Sequence, residues 1–378
     1  MIVFPAELFN AHKAAAFAAL AKADGGALRL RLPHLSFRDF PETAARVEQA
    51  VARAKKRPEG RGFWKRLLLR GQYNWARRHF AAHPGDVAVV WNGLGGSRQA
   101  FAMGARDAGA ATLHAEISPF PGRITLDPAG VNAEGSVPQD RWFYDDWAGA
   151  DPEKSGDGWR AMGETLTARP SRRADVAQGK TTLPDTPFLF CPLQVPDDTQ
   201  VTLFAGWTGG ISGFLAALAI AAEQLPPGWH LRLKEHPSAR EPLGPVIAPL
   251  LEGGRIILDN ASDSFAQLAA SRGVVTLNSS MGLQAFFHDK PVVTLGRAFF
   301  AQPGLVAPAP DLATLNRLFA APETIAFDPA FRARFMNWLD RVYYPRFTWP
   351  GAVADEAAFA ARLAQARALA LSLRKTMG

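Results

Sequence analysis

Short apolar runs bounded by glycine, proline or asparagine alternate with amphipathic stretches along most of the chain. The first residues set a helical pattern over 6–21, followed by a strand-like run at 27–32 that stops at Pro33. A second helical pattern covers 42–56. Val87–Trp91, an apolar run between Gly85 and Asn92-Gly93, reads as a buried strand. Gly93-Leu94-Gly95-Gly96 then opens a helix over 97–109, and 112–116 reads as the next strand, which makes a βαβ unit. Residues 127–186 are polar and rich in Gly, Pro, Asp and Arg, the pattern of a loop and linker. From Pro187 the alternation resumes. Strands are predicted at 188–192, 230–234, 256–258, 274–277 and 291–295, with helices at 212–224, 264–270 and 281–288. Such spacing predicts a parallel sheet with helices on both faces. The stretch 312–377 reads as helices around an aromatic segment at 335–350. The expected class is therefore α/β. An N-terminal α/β domain spans 1–185, a second covers 186–325, and a helical tail, 326–378, packs back on the first.

Length and composition fit this division. A single core rarely grows beyond roughly 250–300 residues, so 378 residues imply two domains. A hydrophobic content of 48% without low-complexity repeats excludes a disordered or fibrous chain. The single cysteine, Cys191, excludes an intrachain disulfide and a multi-cysteine zinc site, and fits a reducing compartment. The first residues lack a basic region and a small-residue cleavage site, and no apolar run reaches the roughly 18 residues of a membrane span. These features lead to the expectation of a cytoplasmic protein. A net charge of +7 points to anionic partners: nucleic acid, phospholipid or an acidic sugar nucleotide. Between Arg53 and Arg78 ten lysines and arginines accompany one acid, Glu59, with Phe63, Trp64, Leu67, Leu68, Tyr73 and Trp75 among them. That stretch fits a solvated helix face, a nucleic-acid patch or an anionic-lipid surface. Its leucines and aromatics favour lipid or an acidic acceptor, with Arg66 and Arg70 as the candidate contacts.

Four places carry candidate chemistry. Asn278-Ser279-Ser280 joins a strand to a helix, where hydroxyls and free amides suit a phosphate; an ordinary N-cap explains them equally. Lys234-Glu235-His236-Pro237 closes a strand, and the proline keeps His236 extended. An imidazole and an ammonium there would meet anionic oxygens, although a charged loop has the same appearance. Gln194 and the adjacent carboxylates Asp197 and Asp198 follow another strand; the pair suits a metal, a general base, a nucleophile or a plain turn. Glu116 ends a strand and is a candidate acid/base or an edge glutamate. The glycines of Gly93-Leu94-Gly95-Gly96 do not have dinucleotide-binding spacing and read as a turn that permits close helix approach.

In order and spacing these motifs resemble the bacterial capsular polysaccharide biosynthesis family, retaining β-Kdo transferases that use CMP-Kdo. The resemblance runs from about Val87 to Gly296. It rests on Pro-Leu-Gln-x-x-x-Asp-Thr-Gln (192–200), Leu-Lys-Glu-His-Pro (233–237), Thr-Leu-Asn-Ser-Ser-Met-Gly-Leu-Gln-Ala (276–285) and His-Asp-Lys-Pro-Val-Val-Thr-Leu-Gly (288–296). Glu116 and Phe-Pro-Gly-Arg-Ile-Thr-Leu-Asp-x-x-Gly-Val-Asn (120–132) complete it. The resemblance implies a GT-B-like fold, two Rossmann-like domains with a cleft between them. Residues 1–185 would be the acceptor side and 186–325 the nucleotide-sugar side. The single-module length is similar to that of the capsule enzyme acting on a phosphatidylglycerol-type acceptor. By position, Asp198 would be the nucleophile and Glu116 the acid/base. His236 and Pro237, with Lys234, Asn278, Ser279, Ser280 and Gln194, would bind the CMP-sugar donor. The implied partners are that donor, an anionic lipid or saccharide acceptor, the inner-membrane surface and the capsule machinery. No cofactor, metal or nucleic acid is expected. The alternatives are a GT-B transferase with a sialic-acid-like or UDP-sugar donor, and a non-catalytic capsule assembly or export partner.

Overall fold

Alternate side chains of a strand point to opposite faces, so a strand buried on both sides needs two apolar layers. The Val87–Trp91 strand meets this requirement. In the computed structural model it is β3 of a five-stranded sheet ordered β2-β1-β3-β4-β5. The others are β1 (Ile2–Pro5), β2 (Ala27–Leu30), β4 (Ala111–Ile117) and β5 (Ile124–Asp127). β2, β1, β3 and β4 run parallel, and β5 returns antiparallel at the edge. Val87, Val89 and Trp91 pack with Phe17 and Leu20 of helix α1 (Ala11–Ala23) and with Phe359 and Leu363 of the Glu356–Met377 helix. Ala88 and Val90 face Phe80 and Phe101 on the other side. The structure describes residues 1–5, 10–30, 34–54, 62–166, 171–180, 182–183, 185–351 and 353–377. The predicted helical start 6–9, strand end 31–33, helix end and basic segment 55–61, and linker residues 167–170, 181 and 184 lie outside the described residues.

Most of the basic stretch is helix. α3 (Gly62–Ala82) and α4 (Gly96–Asp107) cover the Val90 face, α2 (Thr43–Ala52) packs on those two helices, and α3 buries Leu69, Tyr73, Ala76 and Phe80. A Cβ on Gly104 would lie 2.5 Å from the Tyr73 carbonyl, and one on Gly95 would lie 2.3 Å from the Arg53 carbonyl. Glycines 95 and 104 therefore permit the close helix approach expected of this region. Arg66 donates to both carboxylate oxygens of Glu48, and Arg70 forks onto Asp39 in the same way. Each guanidinium is thus ion-paired and still partly exposed, 48% for Arg66 and 40% for Arg70. Phe63 and Trp64 remain 68% exposed on the same helix.

The second sheet is wholly parallel, ordered β11-β10-β9-β6-β7-β8. Its strands are β6 (Phe188–Pro192), β7 (His230–Lys234), β8 (Ile256–Leu258), β9 (Gly273–Thr276), β10 (Val292–Thr294) and β11 (Ala307–Pro308). Its core includes Leu189, Cys191, Leu231, Leu233, Val275 and Val293, packed with Phe214 and Leu218 of the Ile211–Ala222 helix.

The chain divides into two compact units, 1–137 with 339–378, and 138–338. The expected domain boundary at 185 is thus displaced, and residues 138–185 group with the second sheet. The polar composition of this segment hides aromatic anchors. It forms the helices Arg141–Ala148 and Pro152–Ser155 and a 3-10 turn, Asp157–Gly163. Tyr144 meets Phe331, Phe335 and Trp338 at centroid distances of 5.7, 5.3 and 5.6 Å. The expected tail is also shared: the Pro329–Trp338 helix belongs to the second unit, whereas the Glu356–Met377 helix packs on β4 of the first. Both units are α/β, the first sheet parallel except for its edge strand β5 and the second parallel throughout.

Candidate functional site

β7, β6 and β9 are neighbours, so their carboxyl ends release three loops side by side. Lys234, His236, Pro237, Ser279, Ser280 and Gln284 line a pocket of about 100 Å³ there. Ligands of open α/β sheets bind at such strand ends. His236, on the loop after β7, is half-buried. The Ser238 amide donates to its Nδ1 at 3.0 Å. A backbone N–H only donates, so Nδ1 accepts, and the neutral ring holds its proton on Nε2. Ser279 caps the short Ser280–Gln284 helix, its Oγ accepting from the Met281 amide at 3.2 Å.

Three of the predicted donor-binding residues have other work. The Lys234 ammonium donates to the carbonyls of Ala177, Asn260 and Ser262 at 2.8, 3.2 and 2.7 Å. All three of its protons are used, and burial lowers its pKa. It pins two loops and offers no N–H to an anion. Replacing Lys234 by Met should therefore lower unfolding stability by about 2–4 kcal/mol, read by urea denaturation, because three buried carbonyls lose their donor. Gln194 and Asn278 hold each other: Gln194 Nε2 donates to Asn278 Oδ1 at 2.8 Å, and the Asn278 amide N–H donates to Gln194 Oε1 at 3.3 Å. Asn278 Nδ2 also donates to the carbonyls of Gln200 and Phe204 at 2.9 and 3.1 Å. These two residues fix the Thr199–Phe204 helix, the helix that Asp198 caps. Gly296 completes the corner, since a Cβ there would lie 2.6 Å from the Phe204 carbonyl.

Asp198 is exposed on the loop after β6, and its Oδ1 accepts from the Gln200 amide at 2.8 Å. Asp197 beside it is also exposed. Neither lines the pocket just described.

Glu116 lies in the first unit, near the carboxyl end of β4. Asn92 Nδ2 donates to its Oε2, and the Ile117 amide to its Oε1, both at 2.8 Å. Burial raises its pKa, and these two bonds with the nearby charges of Lys13 and Arg98 oppose the shift without cancelling it. A carboxyl group titrating above its ordinary range suits proton transfer. Asn92 is fixed in turn. It has a φ of 63°, its Oδ1 accepts from the Leu94 amide, and His114 Nδ1 donates to its carbonyl at 3.0 Å. Arg106 donates to His114 Nε2 at 2.7 Å, so both ring nitrogens demand the neutral form. Burial, with Arg106, pushes the His114 pKa down to about 4.

Sequence reasoning passed over Glu235 and Asn92. Glu235 accepts from Arg173, the Leu243 amide and Asn260, and these bonds outweigh the burial that would raise its pKa. Arg173 comes from the segment read as linker. Asn92 carries a signal, Asn-Gly directly after a strand, which marks the end of the strand and not the bond from its side chain to Glu116. Among the described residues, His79, His83 and Asp86 bring three potential metal-ligand atoms within 4.8 Å of one another. They lie by the start of β3, at the opposite end of the strand from Asn92, and His79 Nε2 bonds Asp86 Oδ2 at 3.1 Å.

Residues 159–332 match the family model described as capsule polysaccharide biosynthesis protein. Over 294 residues the chain is 30% identical to Protein FixF of Sinorhizobium fredii, covering 76% of this chain and 68% of that protein. The chain belongs to the capsule polysaccharide biosynthesis protein family. This capsule polysaccharide biosynthesis protein is also 32% identical over 126 residues to the capsule polysaccharide modification protein LipB of Neisseria meningitidis serogroup A. That match takes in 31% of the chain and 30% of LipB. In structure, the capsule protein is similar to KpsC, β-Kdo 2,7 transferase, of Thermosulfurimonas dismutans. The TM-score is 0.51 at 14% identity, covering 96% of this chain and 99% of that one. This likeness establishes the glycosyltransferase-like fold over nearly the whole length. Among the described residues no helix is long and apolar enough to cross a membrane.

Proposed function

We propose that the protein is a retaining glycosyltransferase that moves Kdo from CMP-Kdo to a phosphatidylglycerol-type lipid or a Kdo-terminated saccharide. The observation that carries this reading is the pocket holding His236, Ser279 and Ser280 at the carboxyl ends of neighbouring parallel strands. Family membership supports the class of pathway, and the KpsC name supports the sugar.

The chemistry follows from charge. His236 Nε2–H and the hydroxyls of Ser279 and Ser280 receive the cytidylate phosphate. A phosphate leaving group needs positive or donor groups more than a proton. The Asp198 carboxylate attacks the anomeric carbon as the carbon–oxygen bond to phosphate breaks, releasing CMP and leaving a glycosyl ester. Glu116 then takes the proton of the acceptor hydroxyl, whose oxygen attacks the same carbon and expels Asp198. Two inversions give net retention, the logic of retaining glycosidases. Lys234, Gln194 and Asn278 act in this scheme as positioning residues, and no metal or cofactor takes part. The exposed Phe63 and Trp64, beside Arg66 and Arg70, supply the inner-membrane contact.

Wild-type protein should be stabilised against heat by CMP and not by UDP. His236→Gln should weaken CMP at least tenfold, read by calorimetric titration. Selectivity for UDP would replace the donor, and indifference to both nucleotides would remove the transferase reading in favour of an assembly role. Incubation with CMP-Kdo and a fluorescent lysophosphatidylglycerol, followed by product mass, tests the transfer itself.

A further inference from the structure

His12 is held in the first unit by three aromatic rings. Its imidazole meets Trp91, Phe347 and Trp349 at 5.9, 5.3 and 6.4 Å, with interplanar angles of 82°, 74° and 87°. Its Nδ1 is buried with no hydrogen-bond partner. An orphaned N–H costs more than an orphaned lone pair, so the ring proton belongs on Nε2. Burial, and then the adjacent Lys13 charge, lower its pKa, which keeps the ring neutral near pH 7. The imidazole thus has its orientation set by packing alone, and its hydrogen-bonding capacity is not spent on the fold.

Its neighbours extend the site toward Glu116. Lys13 Nζ lies 5.0 Å from the Trp91 ring centroid and acts electrostatically on Glu116. Trp91 pairs with Ala115, the residue before Glu116. Trp349 is 44% exposed and presents an indole to solvent. A sugar ring has an apolar face for an indole and hydroxyls for a fixed N–H, and an ammonium selects one that carries a negative group.

We propose that His12, Lys13 and Trp349 form the subsite for the acceptor's terminal sugar, and that this sugar is an acid. Its carboxylate meets Lys13, one hydroxyl accepts from His12 Nε2, and another is presented to Glu116. The assignment deepens the transferase reading and rests on it for the role of Glu116.

Saturation-transfer NMR with D-glucuronate, glucose and glycerol phosphate tests the subsite without requiring turnover. The full chain should bind glucuronate in preference to the other two. Lys13→Met should weaken glucuronate at least tenfold. His12→Phe, which keeps a ring among the three aromatics, should weaken it several-fold, as should Trp349→Ala. Thermal unfolding checks that each variant folds, and the CMP-induced shift, which reads the other unit, should not change. Equal glucuronate binding by wild type, Lys13→Met and His12→Phe overturns the proposal, as does a preference for glycerol phosphate. Glucuronate binding that depends on Lys13 in a protein that transfers nothing from CMP-Kdo would uphold the subsite and remove the transferase reading.

Discussion

Asp198→Asn should reduce sugar transfer by about 10³-fold or more, with CMP affinity and thermal stability close to wild type. The isosteric change is informative because the observed N-cap role of Asp198 and its proposed role as nucleophile make separable demands. As an N-cap, its Oδ1 accepts from the Gln200 amide, and asparagine caps about as well as aspartate. As a nucleophile it must carry a charge, which asparagine lacks. Asp198→Ala loses both roles, and the missing cap alone costs about 1 kcal/mol. Product mass with CMP-Kdo, alongside unfolding curves for both variants, separates the two. Transfer by Asp198→Asn within tenfold of wild type would remove this residue from the chemistry and reduce it to a cap.

Glu116→Gln should lower kcat/KM by about 10²–10⁴, the usual range for loss of a general base. Its pH profile is the sharper test. Burial raises the Glu116 pKa above its ordinary value, so at a given pH more of it is protonated than for a solvated glutamate. A base must be deprotonated. The wild-type rate should therefore climb with pH through this raised pKa and level off above it, at a higher pH than an exposed carboxylate would give. In Glu116→Gln that limb should vanish and leave a low, flat profile. Asn92→Ala removes the donor to Oε2, a bond that favours the charged form, so it should move the limb further up. A wild-type limb unchanged in Glu116→Gln would assign the titration to another group.

Five of the six strands of the second sheet were legible in the sequence as short apolar or alternating runs between polar turns, whereas β11, of two residues, is too short to carry a pattern. Phe188–Pro192, His230–Lys234 and Ile256–Leu258 occur with the predicted bounds. β1 was hidden for a physical reason: four apolar residues run directly into an alanine-rich helical pattern, so the helix period masks the strand. Residues 138–163 were hidden by composition. Their glycines and aspartates look like linker, while Tyr144 and Trp159 are fully buried anchors. At the site, sequence marked the loops after β6, β7 and β9 but not the use of each side chain. A lysine beside a histidine at a strand end looks like an anion receptor, and only the three carbonyls around Lys234 show that its protons are already committed. The pairing of Gln194 with Asn278 was equally invisible, because it joins loops 84 residues apart.

The first unit is made from both ends of the chain, with 138–338 between them. Synthesis therefore delivers its pieces out of order. When the five strands of its sheet have left the ribosome, the layer that receives Phe359, Leu363 and Ala366 is still bare, and it stays bare while some two hundred further residues are made. The second unit can collapse during that interval, whereas the first closes only after translation has supplied its last helix. A premature stop before that helix would thus leave the earliest-made sheet as the sticky part of the product.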